Sequence, residues 1–124
     1  MPTPERVREF IGRVEAGDHV GAIEDFYHSD ASMQENLGQK REGIEALVAG
    51  EKAALVRMGG APESKCIHYA INGDTVMINW TFAMGGQFAT PDGRPKLLDE
   101  IAVQTWRGDR IAAERFYYDP GTLR

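Results

Sequence analysis

The chain has 124 residues, 42% of them hydrophobic and 27% charged, which suits a single globular domain spanning 1–124 that can bury about two-thirds of the surface its unfolded chain exposes. A net charge of −5 without a long basic cluster speaks against a nucleic-acid surface, which needs Lys and Arg grouped against phosphates, and the single cysteine, Cys66, excludes an intrachain disulfide framework. No stretch approaches the roughly 18 apolar residues of a membrane span, and the N-terminus shows no apolar secretion segment. The expectation is a cytoplasmic protein with no membrane contact.

Thr3 can cap a first helix with Pro4 at its first position, and Val7, Phe10, Ile11 and Val14 then share one stripe. Gly17 ends that helix and Asp18 caps a second, whose buried face is Val20, Ile23 and Phe26 or Tyr27. A short strand is expected over Ala31–Leu37, followed by a loop from Gln39 to Gly43. A third helix carries Ile44, Leu47, Val48, Leu55 and Met58 on one side and stops at Gly59-Gly60.

The remainder reads as strands. Ser64–Ile71 turns at Asn72-Gly73 into Thr75–Phe88, and Lys96–Arg107 turns at Gly108-Asp109 into Arg110–Tyr118. Gly85-Gly86 marks a bend or bulge near the end of the longer strand. Three helices ahead of an antiparallel meander make an α+β domain in which the helices cover one sheet face.

Period-two alternation turns Ile78, Trp80, Phe82 and Met84 to one side of their strand. If Ala102 faces inward, so do Leu98, Glu100, Gln104 and Trp106, leaving Ile101, Val103 and Thr105 on the outer side. On the last strand Ala112, Glu114, Phe116 and Tyr118 go together. Glu100 and Glu114 thus have an inward parity, yet their closeness to strand ends, Arg110 and Arg115 favours surface ion pairs. His19, His28 and His68 are too scattered for a metal site, so none is expected; caps, turns and strand surface account for them.

The order of elements, the Ala16-Gly17-Asp18 junction, the segment Tyr27–Gly38 and the closing Glu114–Pro120 together resemble the nuclear-transport-factor-2-like superfamily, in its SnoaL-like and ketosteroid isomerase-like branch. The resemblance implies a cone-shaped, curved antiparallel sheet wrapped around the three helices, as in cystatin-like architectures, with an apolar pocket between sheet and helices. It also implies a homodimer through the sheet. Glu35 falls where ketosteroid isomerase carries its catalytic base. The oxyanion-donating tyrosine and protonated aspartic acid of that enzyme fall at Phe10 and Ala102, which have no donor. The water-activating set of the similar limonene epoxide hydrolase falls at Trp80, Phe82, Phe116, Met33 and Glu35, and the first four cannot activate water.

The resulting expectation is a small apolar molecule in a pocket lined by Phe10, Met33, Trp80, Phe82, Ala102, Gln104, Phe116 and Tyr118, with no cofactor. Glu35 would move a proton there, desolvated by its surroundings, while Gln104 or Tyr118 donates a hydrogen bond. The alternative is a non-catalytic binding or dimerisation module of the same fold. If Glu35 is solvent-exposed, or salt-bridged outside any cavity, the enzyme reading collapses, and a cavity of about 300 Å³ or more favours a ligand over a solid aromatic core.

Overall fold

Local signals at the N-terminus act where the sequence puts them. In the computed structural model, which describes residues 1–124, Thr3 accepts the Arg6 amide at 3.1 Å and opens α1, Pro4–Glu15. Gly17 then takes a left-handed φ of 87°. Asp18 accepts the Gly21 amide at 3.0 Å, starting α2, His19–Phe26. All four residues of the expected stripe, Val7, Phe10, Ile11 and Val14, are buried.

From α2 the chain passes directly into β1, Tyr27–Glu35, which begins earlier than its composition suggests. A two-residue strand, β2 (Arg41–Glu42), occupies what reads as a loop, and α3 follows over Ile44–Arg57. Then come β3 (Glu63–Asn72), β4 (Thr75–Met84), β5 (Lys96–Arg107) and β6 (Arg110–Tyr117). Short 3-10 turns lie at Gly86–Phe88 and Pro120–Leu123.

The six strands form one curved, unclosed sheet in the order β2-β1-β6-β5-β4-β3. It is mixed where an antiparallel one was expected: β1 runs parallel to β6. Two segments 75 residues or more apart meet there, a pairing that no turn signal announces. The register breaks between Tyr27 and Ser32, which lets Tyr27 stay with the helical core while the rest of β1 follows β6.

Gly85-Gly86 ends β4 and bends nothing within it. Gly86 has a φ of 58°, and a Cβ there would stand 2.2 Å from the Arg57 carbonyl oxygen at the end of α3. Only glycine permits this approach, which joins the far end of β4 to the helix layer. Between the layers lies the core, where the Phe10 ring meets Phe26 edge-on at 5.5 Å and Trp106 at 6.4 Å.

Candidate functional site

Cross-strand register assembles the inner face of the sheet in rows. Met33 stands beside Glu114, which stands beside Gln104; Glu35 stands beside Phe116, which stands beside Ala102; Glu100 is paired with Trp80. Over these rows the helices leave a cavity of about 360 Å³, in the range of small-molecule sites.

Phe10, Met33, Trp80, Phe82, Phe116 and Tyr118 all line this cavity. The Trp80 and Phe82 rings stack on one another, 25° apart with centroids at 5.7 Å, and add apolar surface to it. Ala102 and Gln104 are off the wall, both fully buried. Glu35 lies on the lining but is exposed, at the mouth, and pairs with neither Lys40 nor Arg41. The enclosure expected of Glu35 is therefore absent. Its strand runs out at the cavity rim, where no helix covers it.

The enclosed carboxyls are Glu100 and Glu114, which corrects the expectation of surface ion pairs. Glu100 is 8% exposed and Glu114 4%. Their presumed partners are turned elsewhere: Arg110 donates to the Tyr27 carbonyl at 3.1 Å, and Arg115 to the Asn36 carbonyl at 2.9 Å.

Glu114 is fully engaged. One oxygen accepts the Tyr27 hydroxyl, the other accepts Gln104 Nε2 at 2.7 Å, and Gln104 Oε1 accepts the Trp106 indole N–H at 3.0 Å. The indole can only donate, so it fixes which way the Gln104 amide points. Burial pushes Glu114 up to about 7, against the pull of the Tyr27 and Gln104 hydrogen bonds. Burial, then the Glu114 charge, raises the Tyr27 phenol well above its ordinary value.

Glu100 has no such support. No protein group donates to its carboxyl, and both oxygens keep accessible surface, since Arg41 Nε is the one buried side-chain polar atom left without a partner. Burial, then the charges of Glu114 and Glu35, pushes Glu100 up to about 8. Tyr118 is pushed up to about 12 by burial and then by Glu35 and Glu100, so its hydroxyl stays a donor at neutral pH.

Asn36 fixes the rim. It takes a left-handed φ of 50°, donates its amide to the Phe116 carbonyl at 2.7 Å and accepts the Tyr118 amide on Oδ1 at 3.1 Å. Asn tolerates that conformation better than other residues with a Cβ.

A further row escapes sequence reading. His19 lines the cavity, with Nδ1 3.4 Å from Glu51 Oε1 and Nε2 3.2 Å from Ser64 Oγ. The residue types match a hydrolytic triad, but Ser64 is buried off the wall and its hydroxyl donates to the Pro62 carbonyl at 3.0 Å. No free nucleophile results. The three residues lie on α2, α3 and β3, and no local spacing signals their meeting. No three His, Cys, Asp or Glu side chains converge as a metal ligand set, and no helix is long and apolar enough to cross a membrane.

A curved mixed sheet with three helices over a cavity on its inner face defines a nuclear-transport-factor-2-like domain. Residues 7–114 match the SnoaL-like domain family, and the chain belongs to it. No curated protein matches significantly. Among solved structures, a protein of ketosteroid isomerase-like fold from Catenulispora acidiphila, crystallised with trimethylamine, is 18% identical with a TM-score of 0.80, over 98% of this chain and 90% of that one. A protein from Mesorhizobium loti described as a SnoaL-like polyketide cyclase is 22% identical with a TM-score of 0.73, over 95% and 100%. One from Bacillus subtilis described as an isomerase is 18% identical with a TM-score of 0.73, over 95% and 86%. At these identities the likeness is one of fold.

Proposed function

We propose that the protein is a proton-transfer enzyme of the isomerase, cyclase or hydratase kind, acting on a small, mainly apolar molecule in the cavity. The role first expected of Glu35 passes to Glu100. The observation that carries this reading is a carboxyl 8% exposed, without a protein partner, on the wall of a cavity of about 360 Å³. Burial raises it to about 8, so near neutral pH it is mostly protonated and acts as general acid, while its conjugate base is strong enough to take a proton from an activated C–H.

Tyr118 is the hydroxyl donor next to it, in place of the donor pair that Phe10 and Ala102 lack. Glu114, held by Tyr27 and Gln104, keeps the floor rigid. Trp80 and Phe82, stacked on one another, offer apolar surface to the substrate. The second reading, a binding module that catalyses nothing, is favoured by the apolar character of Phe10 and Ala102, both buried in the core.

The test needs no natural substrate. In 5-nitrobenzisoxazole a base removes the ring C–H proton as the N–O bond opens to a nitrile phenolate, so turnover reports a desolvated carboxylate. The expected rate rises with pH through about 8, disappears in Glu100→Gln and survives Glu35→Gln. Saturable binding without turnover supports the binding module, and loss in E35Q alone returns the role to Glu35.

Association through the sheet belongs to the same reading. Met77, Ile101 and Tyr117 share the outer face and are 47%, 44% and 42% exposed, an apolar set that a second copy would cover. Light scattering at twice the chain mass of 13.7 kDa supports this, and a monomer overturns it.

A further inference from the structure

Arg41 stands on β2, paired with Met33 of β1, and lines the cavity. A guanidinium offers five N–H donors. Here its one side-chain contact is Nη2 to the Met33 thioether at 3.8 Å, a weak acceptor, and its Nε is buried without any partner. No carboxylate forms an ion pair with it. On the other side Gly50 of α3 makes room: a Cβ at that position would come 3.3 Å from Nε.

The carboxylates that share the cavity are accounted for separately. Glu114 is held by Tyr27 and Gln104, Glu51 faces His19, and Glu100 is raised to about 8 and so largely neutral. Glu35 is at the exposed rim. Arg57, at the end of α3, lines the cavity as a second cation, exposed and outside any ion pair. The cavity, mainly apolar in its lining, therefore presents a guanidinium that none of its carboxylates pairs with, a setting that suits an incoming anion.

We propose that Arg41 anchors a carboxylate of the ligand, which makes the substrate class a small organic acid: one carboxylate on an apolar body. This rests on the reading of the cavity as a ligand site and narrows what enters it. The planar fork of a guanidinium matches the two oxygens of a carboxylate, and apolar walls strengthen the pair by excluding water. The apolar body is left for the Trp80 and Phe82 wall.

Three probes of one shape test this: 2-naphthoate, 2-naphthamide and 2-naphthylmethylamine, titrated by calorimetry at pH 7. The expected order puts naphthoate about tenfold or more ahead of the amide, as for a charge-assisted bidentate contact against a neutral one. Arg41→Gln removes that margin, bringing acid and amide to within about twofold of one another, with a cooperative thermal melt showing that the variant folds; Arg41→Lys keeps part of it. Equal affinity for acid and amide, a preference for the amine, a margin that survives R41Q, or no binding of any probe overturns the anchor. Turnover of 5-nitrobenzisoxazole requires no anion site, so the carboxylate anchor and the proton-transfer reading fail independently.

Discussion

At its inner end the cavity is floored by Glu114, which accepts from Tyr27 and from a Gln104 that is itself oriented by Trp106. Toward its mouth Glu35 ends β1, and Arg41 on β2 pairs with Met33 two residues earlier, with no ion pair between the two side chains. A buried donor or acceptor left unmade costs about 1–3 kcal/mol, so a floor with every group paired serves the fold. A cation outside any ion pair leaves room for a group that arrives from outside. Glu100 lies between these regimes, as enclosed as the floor and as unpartnered as the mouth.

The contrast is broken or sharpened first at Glu114. Replacing it with Ala strands the Tyr27 hydroxyl and the Gln104 amide together and leaves a cavity, so a loss of about 3–5 kcal/mol is expected in denaturant unfolding. A loss under about 1 kcal/mol would mean that the floor is not structural.

Next comes Glu100. Its folded value of about 8 lies above the ordinary 4.5, so the native state binds more protons than the unfolded state between those limits. Its contribution is fully present below about 4.5 and is lost as pH rises through about 8. Glu100→Gln should flatten that decline and, at pH 9, stabilise the protein by on the order of a few kcal/mol. Thermal melts from pH 5 to 9 decide it; parallel profiles for the two proteins would show that Glu100 is not desolvated.

The smallest effect is expected at the mouth, where Glu35→Gln should move stability by less than about 0.5 kcal/mol. A cost comparable to that of E114A would erase the distinction between the two ends.

Helix starts at Thr3 and Asp18, the hairpins at Asn72-Gly73 and Gly108-Asp109, and the inward parity of Glu100, Gln104 and Trp106 are all legible in the sequence, because each rests on neighbours a few residues apart. The parallel β1·β6 pair and the two-residue β2 are not, since their partners are set by the closing of the whole sheet. The same division runs through the site. Alternation gives the side of the sheet on which Glu100 and Glu114 lie, but their depth depends on how α1 and α2 cover it, so proximity to Arg110 and Arg115 misleads. His19, Glu51 and Ser64 come from three separated elements. Glu35, placed by the resemblance, lies on the cavity lining but at its exposed rim, because burial varies along a strand while parity does not.

Asn36, left-handed and bonded both to the Phe116 carbonyl and to the Tyr118 amide, makes the rim act as a latch. Any parting of the ends of β1 and β6 at this residue breaks both bonds. Opening events of that kind are read out by hydrogen exchange, in which local excursions cost less than global unfolding. The Tyr118 amide, bonded to Asn36 Oδ1 at 3.1 Å, thus reports by its exchange rate how often the ends of β1 and β6 come apart.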